Sequence, residues 1–165
     1  ACVCFPSSWD LRQTLGESVA AIHCRAPRLN AHVVSKVERF LRSLNTDKGF
    51  ARLNWGLART SERNAHPELN RPRLDQNVGI EQLFLRIERQ LFIGIEGGVL
   101  MGIRIETLPL AELAEDRALW RLVIEKIRVM PTDVAAYKGL KAAQSAIVRE
   151  MEAYVGPGPI HGLRA

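Results

Sequence analysis

The sequence predicts an α+β fold, an antiparallel sheet with helices packed on it, and three observations carry that expectation. Residues 81–106 hold two stretches of period-two alternation joined by Glu96-Gly97-Gly98. Apolar residues recur at helical spacing both before and after that hairpin. Clusters of Gly, Pro, Asn and Asp punctuate the chain between these stretches, where turns belong.

Residues 2–5 alternate briefly and read as a first strand, ended by Pro6-Ser7-Ser8. Ser7 or Ser8 is placed to cap a short helix over residues 9–15, which Gly16 closes. Residues 17–24 fit no single element. Pro27 breaks the backbone, and Asn30 is a natural cap for the next helix. In that helix Val33, Val37, Phe40, Leu41 and Leu44 form one apolar stripe. Residues 45–49 are a turn cluster, and residues 51–57 form a strand with Leu53, Trp55 and Leu57 alternating against Arg52, Asn54 and Gly56.

Residues 60–79 carry Pro67, Pro72, many charges and little apolar periodicity, so they read as a long loop. In the hairpin, Leu83, Leu85, Ile87 and Leu91 fall on one face and Arg86, Glu88 and Gln90 on the other. Val99, Met101, Ile103 and Ile105 alternate against Arg104 and Glu106, which puts Arg86, Glu88, Arg104 and Glu106 together on one polar face. That face is either solvated or covered by helices to line a polar pocket. Pro109 suits the first turn of a helix over residues 110–129, with a break near Asp116. Its apolar set is Leu110, Leu113, Leu119, Leu122, Val123 and Ile127. Pro131 opens another helical region, which Gly139 interrupts and which resumes to about Tyr154. The expected organisation is a single domain over residues 1–155 and a flexible tail over 156–165.

The chain has 165 residues, of which 47% are hydrophobic and 25% charged, a composition of one soluble globular domain. No apolar run approaches the roughly 20 residues that span a bilayer, so no membrane insertion is expected. The net charge of +5 comes from scattered Arg rather than a basic block, which argues against a nucleic-acid partner. The three cysteines are too few and odd in number for a disulfide scaffold, and a reducing cytoplasm is expected. Residues 1–6 lack the basic start and apolar stretch of a signal peptide.

Phosphate loops, nucleophile elbows and zincin pairs are missing, so most familiar enzyme classes are unsupported. Cys2, Cys4, Cys24 and His23 match no recognised zinc spacing. His23 lies among small and apolar residues before Pro27, where a histidine is either a hydrogen-bonded core group or a ligand. Trp55 is either a core aromatic or the wall of an amine or flat-cofactor pocket.

Taken in order, Phe5-Pro-Ser-Ser-Trp9, Leu15-Gly16, Ala21-Ile-His23, Arg52-Leu-Asn-Trp55, Leu85-Arg-Ile-Glu-Arg-Gln90, Ile103-Arg104 and Tyr137-Lys-Gly-Leu140 resemble the haem-dependent oxidative N-demethylase family. The resemblance runs from residue 1 to about residue 150. It implies a PAS-like fold holding haem b, and O2-dependent demethylation of a small secondary amine such as dimethylamine, releasing formaldehyde. It also implies electrons from a separate flavin and iron–sulfur reductase. The protein would set axial ligation, access and charge around the cofactor.

Residue by residue, His23 matches the family's Ile-His-x-x-x-Pro histidine and is the candidate axial ligand, with His32 in reserve. Arg52, Arg86 and Arg104 are candidate partners of the haem carboxylates. Trp55 and Glu88 are candidates for holding a protonated amine by cation–π contact and ion pairing. A non-catalytic PAS-like sensor or ligand-binding module is the alternative reading. The chain starts near the family's Phe-Pro-Ser segment, which leads to a further expectation. An uncovered edge at the first strand or the hairpin would pair with a second copy or a complementing subunit.

Overall fold

The computed structural model describes residue 4, residues 6–23 and residues 31–154, with the backbone alone for residues 23 and 31–33. In chain order the regular elements are α1 (Val19–His23), α2 (Ala31–Ser43), β1 (Phe50–Ala58), β2 (Phe84–Ile95), β3 (Gly98–Pro109), α3 (Arg117–Arg128), α4 (Thr132–Tyr137) and α5 (Gln144–Ala153). The three strands form one antiparallel sheet in the order β1-β2-β3, so the fold is α+β as expected. None of the described helices is long and apolar enough to cross a membrane.

The register follows from side-chain partners. Arg52 bonds Gln90 and Asn54 bonds Glu88, so positions rise along β1 as they fall along β2. The β2–β3 connection is a loop of two residues, Glu96 and Gly97, and Gly97 holds the left-handed φ of +73° that the turn requires. A Cβ built on Gly102 would meet Leu91 Cβ at 3.9 Å, which places Gly102 opposite Leu91.

This register corrects the expected hairpin faces. Arg104 and Glu106 share a face with Arg89 and Leu91, while Arg86 and Glu88 lie on the other face with Met101, Ile103 and Ile105. The physical cause is the loop length. Counting Gly98 into the turn shifts β3 by one residue, and a one-residue shift exchanges its two faces.

Contacts cluster the chain into two compact units, and the sheet's strands run through both. Unit 1 takes residues 1–56, 62–72 and 86–107; unit 2 takes residues 57–61, 73–85 and 108–165. In unit 2, Asp116 caps α3 by accepting from Ala118 and Leu119 N–H at 3.0 Å each. The cap confirms the expected break and sets the helix phase. Trp120, Val123, Ile124 and Ile127 are buried there, whereas Leu119 and Leu122 are exposed, contrary to the expected stripe. Leu83, Leu110, Leu140, Ile147 and Met151 complete a dry core, with Trp120 Nε1 donating to Met151 O at 3.2 Å. Gly139, at φ +71°, separates α4 from α5.

Unit 1 has a thinner core. Phe40 on α2 meets the rings of Phe50 and Phe92 at 4.9 and 6.1 Å, both edge-on, which anchors α2 to the sheet. Gly94 lets this packing close, because a Cβ there would lie 2.7 Å from the backbone of Asn45. The expected helix over residues 9–15 is a single 3-10 turn, Leu11–Gln13, capped by Asp10 rather than by Ser7 or Ser8. The long loop holds more order than its sequence suggests. Ala65 within it bridges in parallel to Ser7, with Ser8 N–H donating to Ala65 O at 3.1 Å. The expected strand over residues 2–5, the Asn30 cap and the tail over 156–165 lie outside the described residues, except that Cys4 is an exposed bend.

Candidate functional site

The functional features of unit 1 lie on the two faces of its part of the sheet. One face is covered and polar. Arg86 and Gln90, at the middle of the central strand, are only 7% and 6% exposed. A guanidinium is rarely buried without partners. Arg86 donates from Nε to Ser7 Oγ at 3.0 Å and from Nη1 to Glu62 O at 3.4 Å. Burial lowers its pKa, and the negative charge of Glu88 acts in the opposite direction.

The Ser7 hydroxyl that accepts from Arg86 in turn donates to Glu88 Oε1. Glu88 Oε2 accepts from Gln90 Nε2 at 2.8 Å and from Asn54 Nδ2 at 3.3 Å. Gln90 closes the chain by accepting from Arg52 Nε at 2.6 Å, and the Arg52 guanidinium lies 5.3 Å from the centroid of the Phe92 ring. Arg52, Arg86 and Glu88 are thus brought together, as one hydrogen-bonded network with Ser7, Asn54 and Gln90. Both oxygens of Glu88 are engaged, so its charge is held by neighbours within the fold.

The opposite face is open and mostly apolar. By strand alternation it carries Leu53 and Trp55 from β1, Arg89 and Leu91 from β2, and Gly102 and Arg104 from β3. Leu53 is 66% exposed and Leu91 48%. Ala51 and Gly102, one small and one without a side chain, flank Leu91 and leave a cavity of about 590 Å³ across all three strands. Arg89 and Arg104 stand at its rim, and each Nε lies 3.2 Å from the same Glu106 Oε1. Two guanidiniums sharing one carboxylate leave the rim net positive.

Trp55 and Arg104 are therefore on the other side of the sheet from Glu88, Arg52 and Arg86. The expected Trp55–Glu88 pair does not share a pocket, and the three arginines do not share one either. His23 ends α1 and His32 lies in α2, but the side chains of both are outside the described residues. Among the described residues no group of three or more His, Cys, Asp or Glu side chains could hold a metal ion.

A third polar cluster lies where the amino-terminal segment meets the long loop. Asp10 accepts from Arg12 N at 2.9 Å and from Arg12 Nη2 at 2.6 Å, and these bonds lower its pKa from 3.8 to about 2. Arg12 reaches on to Glu68 at 2.5 Å. His66 Nδ1 accepts from Glu68 N–H at 3.3 Å and caps the 3-10 turn Pro67–Leu69.

Sequence reasoning missed Ser7, Asn54, Gln90 and Arg89 as site residues. Gln90 and Arg89 had a usable signal, since an unbroken Glu-Arg-Gln in the centre of an apolar strand puts polar groups on both faces. Ser7 had none, because its partners are about eighty positions away in the chain.

An open, mostly apolar floor of this volume, with two cations on its rim, suits a hydrophobic molecule bearing carboxylates. Against known proteins, the family model described as haem-dependent oxidative N-demethylase, alpha subunit-like, matches residues 1–148 of the chain.

Proposed function

The chain belongs to the haem-dependent oxidative N-demethylase alpha subunit-like family, and on that premise we propose that it removes a methyl group oxidatively from a small secondary amine. Dimethylamine is the type substrate; O2 is the oxidant, and formaldehyde and the primary amine are the products. Balance requires two electrons and two protons per turnover, with one oxygen atom leaving as water. A flavin and iron–sulfur reductase would supply the electrons, in keeping with a chain described as one subunit of several.

Haem, when bound, supplies activation of O2 and oxidation of the methyl carbon. The family match carries this reading, and the open cavity supports it. Leu53, Leu91 and the bare backbone at Gly102 would take the apolar plane. Arg89 and Arg104 would hold its carboxylates by charge-assisted hydrogen bonds. The iron ligand is assigned to His23, with His32 in reserve. Trp55, on the same sheet face, would offer an aromatic wall to a protonated amine.

On the covered face, Arg52, Arg86 and Glu88 serve the reaction indirectly under this reading. Their network fixes β2 from behind, so Arg89 and Leu91 emerge on the open face at set positions. A second reading, ligand binding without turnover, is favoured by one observation. Glu88, the acid nearest the centre of the sheet, is already engaged by three donors and is poorly free to meet an ammonium group.

The two readings part in one experiment. Haem-loaded protein, given dimethylamine, O2 and an electron donor, should release formaldehyde in proportion to electrons consumed. Haem binding without formaldehyde from any of a panel of methylated amines would leave the sensor reading in its place.

A further inference from the structure

We propose, on the reading of the open cavity as the haem site, that Glu106 is a positioning residue, holding Arg89 and Arg104 together so that the pair receives the two carboxylates of one ligand. With Gly102 opposite Leu91, the antiparallel register puts Arg104 directly opposite Arg89 on the same face of the sheet. Like charges so placed repel each other, and two long side chains there would part into solvent. Glu106 opposes that. It follows Arg104 on the same face of β3 and lies diagonal to Arg89 on β2, and the Nε of each guanidinium is 3.2 Å from its Oε1.

Burial and lining separate the holder from the held. Both arginines line the cavity, and Glu106 does not. The Glu106 side chain is 31% exposed, against 58% for Arg89 and 78% for Arg104, so the carboxylate is more covered than the cations it gathers. Each contact is made at Nε, one of the five N–H donors of a guanidinium, which leaves the terminal nitrogens of both forks to meet carboxylates. A ligand with two carboxylates then finds two donors already gathered, and less side-chain freedom is lost on binding. Glu106 also brings a negative charge that opposes the ligand. Between groups this exposed, salt screens charge acting at a distance, so the orienting effect outweighs the repulsion.

Titration of the purified chain with ferric haem and with its dimethyl ester tests this, because the ester keeps the iron and the macrocycle and lacks both charges. Wild type should bind haem more tightly than the ester. Two conservative variants then separate position from charge. Glu106→Asp keeps the charge but withdraws the acceptor by one methylene, and it should weaken haem binding roughly tenfold, the scale of one charge-assisted hydrogen bond. Its binding of the ester should stay as in wild type. Glu106→Gln keeps an acceptor oxygen at the same reach and removes the charge, so it should bind haem at least as tightly as wild type. Wild-type haem affinity in Glu106→Asp, weakened haem binding in Glu106→Gln, or equal losses for haem and ester would each overturn the proposal and leave the haem site standing. A wild type that does not bind haem, or does not prefer it to the ester, would overturn the proposal together with the reading of the cavity on which it rests.

Discussion

Arg86 and Ser7 are 79 positions apart, yet Arg86 Nε donates to Ser7 Oγ at 3.0 Å in the covered face of the sheet. The hydroxyl passes that contact on to Glu88, so one small side chain joins the amino-terminal segment to a buried cation and its counter-charge. Arg86 is only 7% exposed, so its guanidinium depends on these protein partners. The network is therefore a condition for β2 to carry Arg86 at all.

The first prediction follows from that bond. Ser7→Ala removes an acceptor from the buried guanidinium and a donor from Glu88 together. The cost of leaving such groups under-satisfied is about 1–3 kcal/mol. Urea unfolding should show a lower midpoint at an unchanged slope, whereas Ser8→Ala should do much less. An unchanged midpoint for Ser7→Ala would show that the network does not support the fold.

The Asp10 cluster predicts an acid limb in stability. Asp10 has a pKa depressed from 3.8 to about 2 by its bonds to Arg12. A depressed carboxyl contributes stability that is complete above its unfolded value and is lost as pH falls through its folded value. Thermal melts between about pH 5 and about pH 2 should thus show wild type approaching Asp10→Asn as the pH falls. A gap between the two that stays constant across that range would rule out Asp10 as the group responsible.

Arg89 is expected to matter for haem more than the sequence alone suggested. Losing a charge-assisted hydrogen bond typically removes about 1.5–3 kcal/mol, or roughly tenfold or more in affinity. Arg89→Ala should weaken haem binding by that factor, while Arg121→Ala, at an exposed position of α3, should leave it unchanged. Equal affinities for Arg89→Ala and wild type would remove the open cavity as the haem site.

His23 is the residue expected to reach the iron. If His23 is the ligand, His23→Ala should abolish the spectrum of ligated haem, and exogenous imidazole should partly restore it by replacing the lost imidazole. Loss of that spectrum in His32→Ala with retention in His23→Ala would transfer the role to α2.

Much of the fold was legible in the residues. Alternation marked β1, β2 and β3, and the break at Asp116 and the interruption at Gly139 were visible as capping and φ signals. The sheet faces were not. They turned on whether Gly98 belongs to the loop or to β3, and local sequence leaves that to the tertiary register. The buried polar network was half legible. Arg86, Glu88 and Gln90 announced a polar strand face, but its cover is supplied by Ser7 and Glu62, which no local pattern ties to β2. In α3 the helix was clear and its phase was not, because Trp120 and Ile124 compete with Leu119 and Leu122 for the core and only packing decides.

The central claim is that this chain's own residues hold haem. Spectrophotometric titration of the purified chain with ferric haem tests it most directly. The expected result is a sharp Soret band that saturates at one haem per chain, shifts when imidazole or cyanide competes for the iron, and weakens in Arg89→Ala. A broad, non-saturating spectrum like that of free haem, identical in wild type and Arg89→Ala, would contradict it.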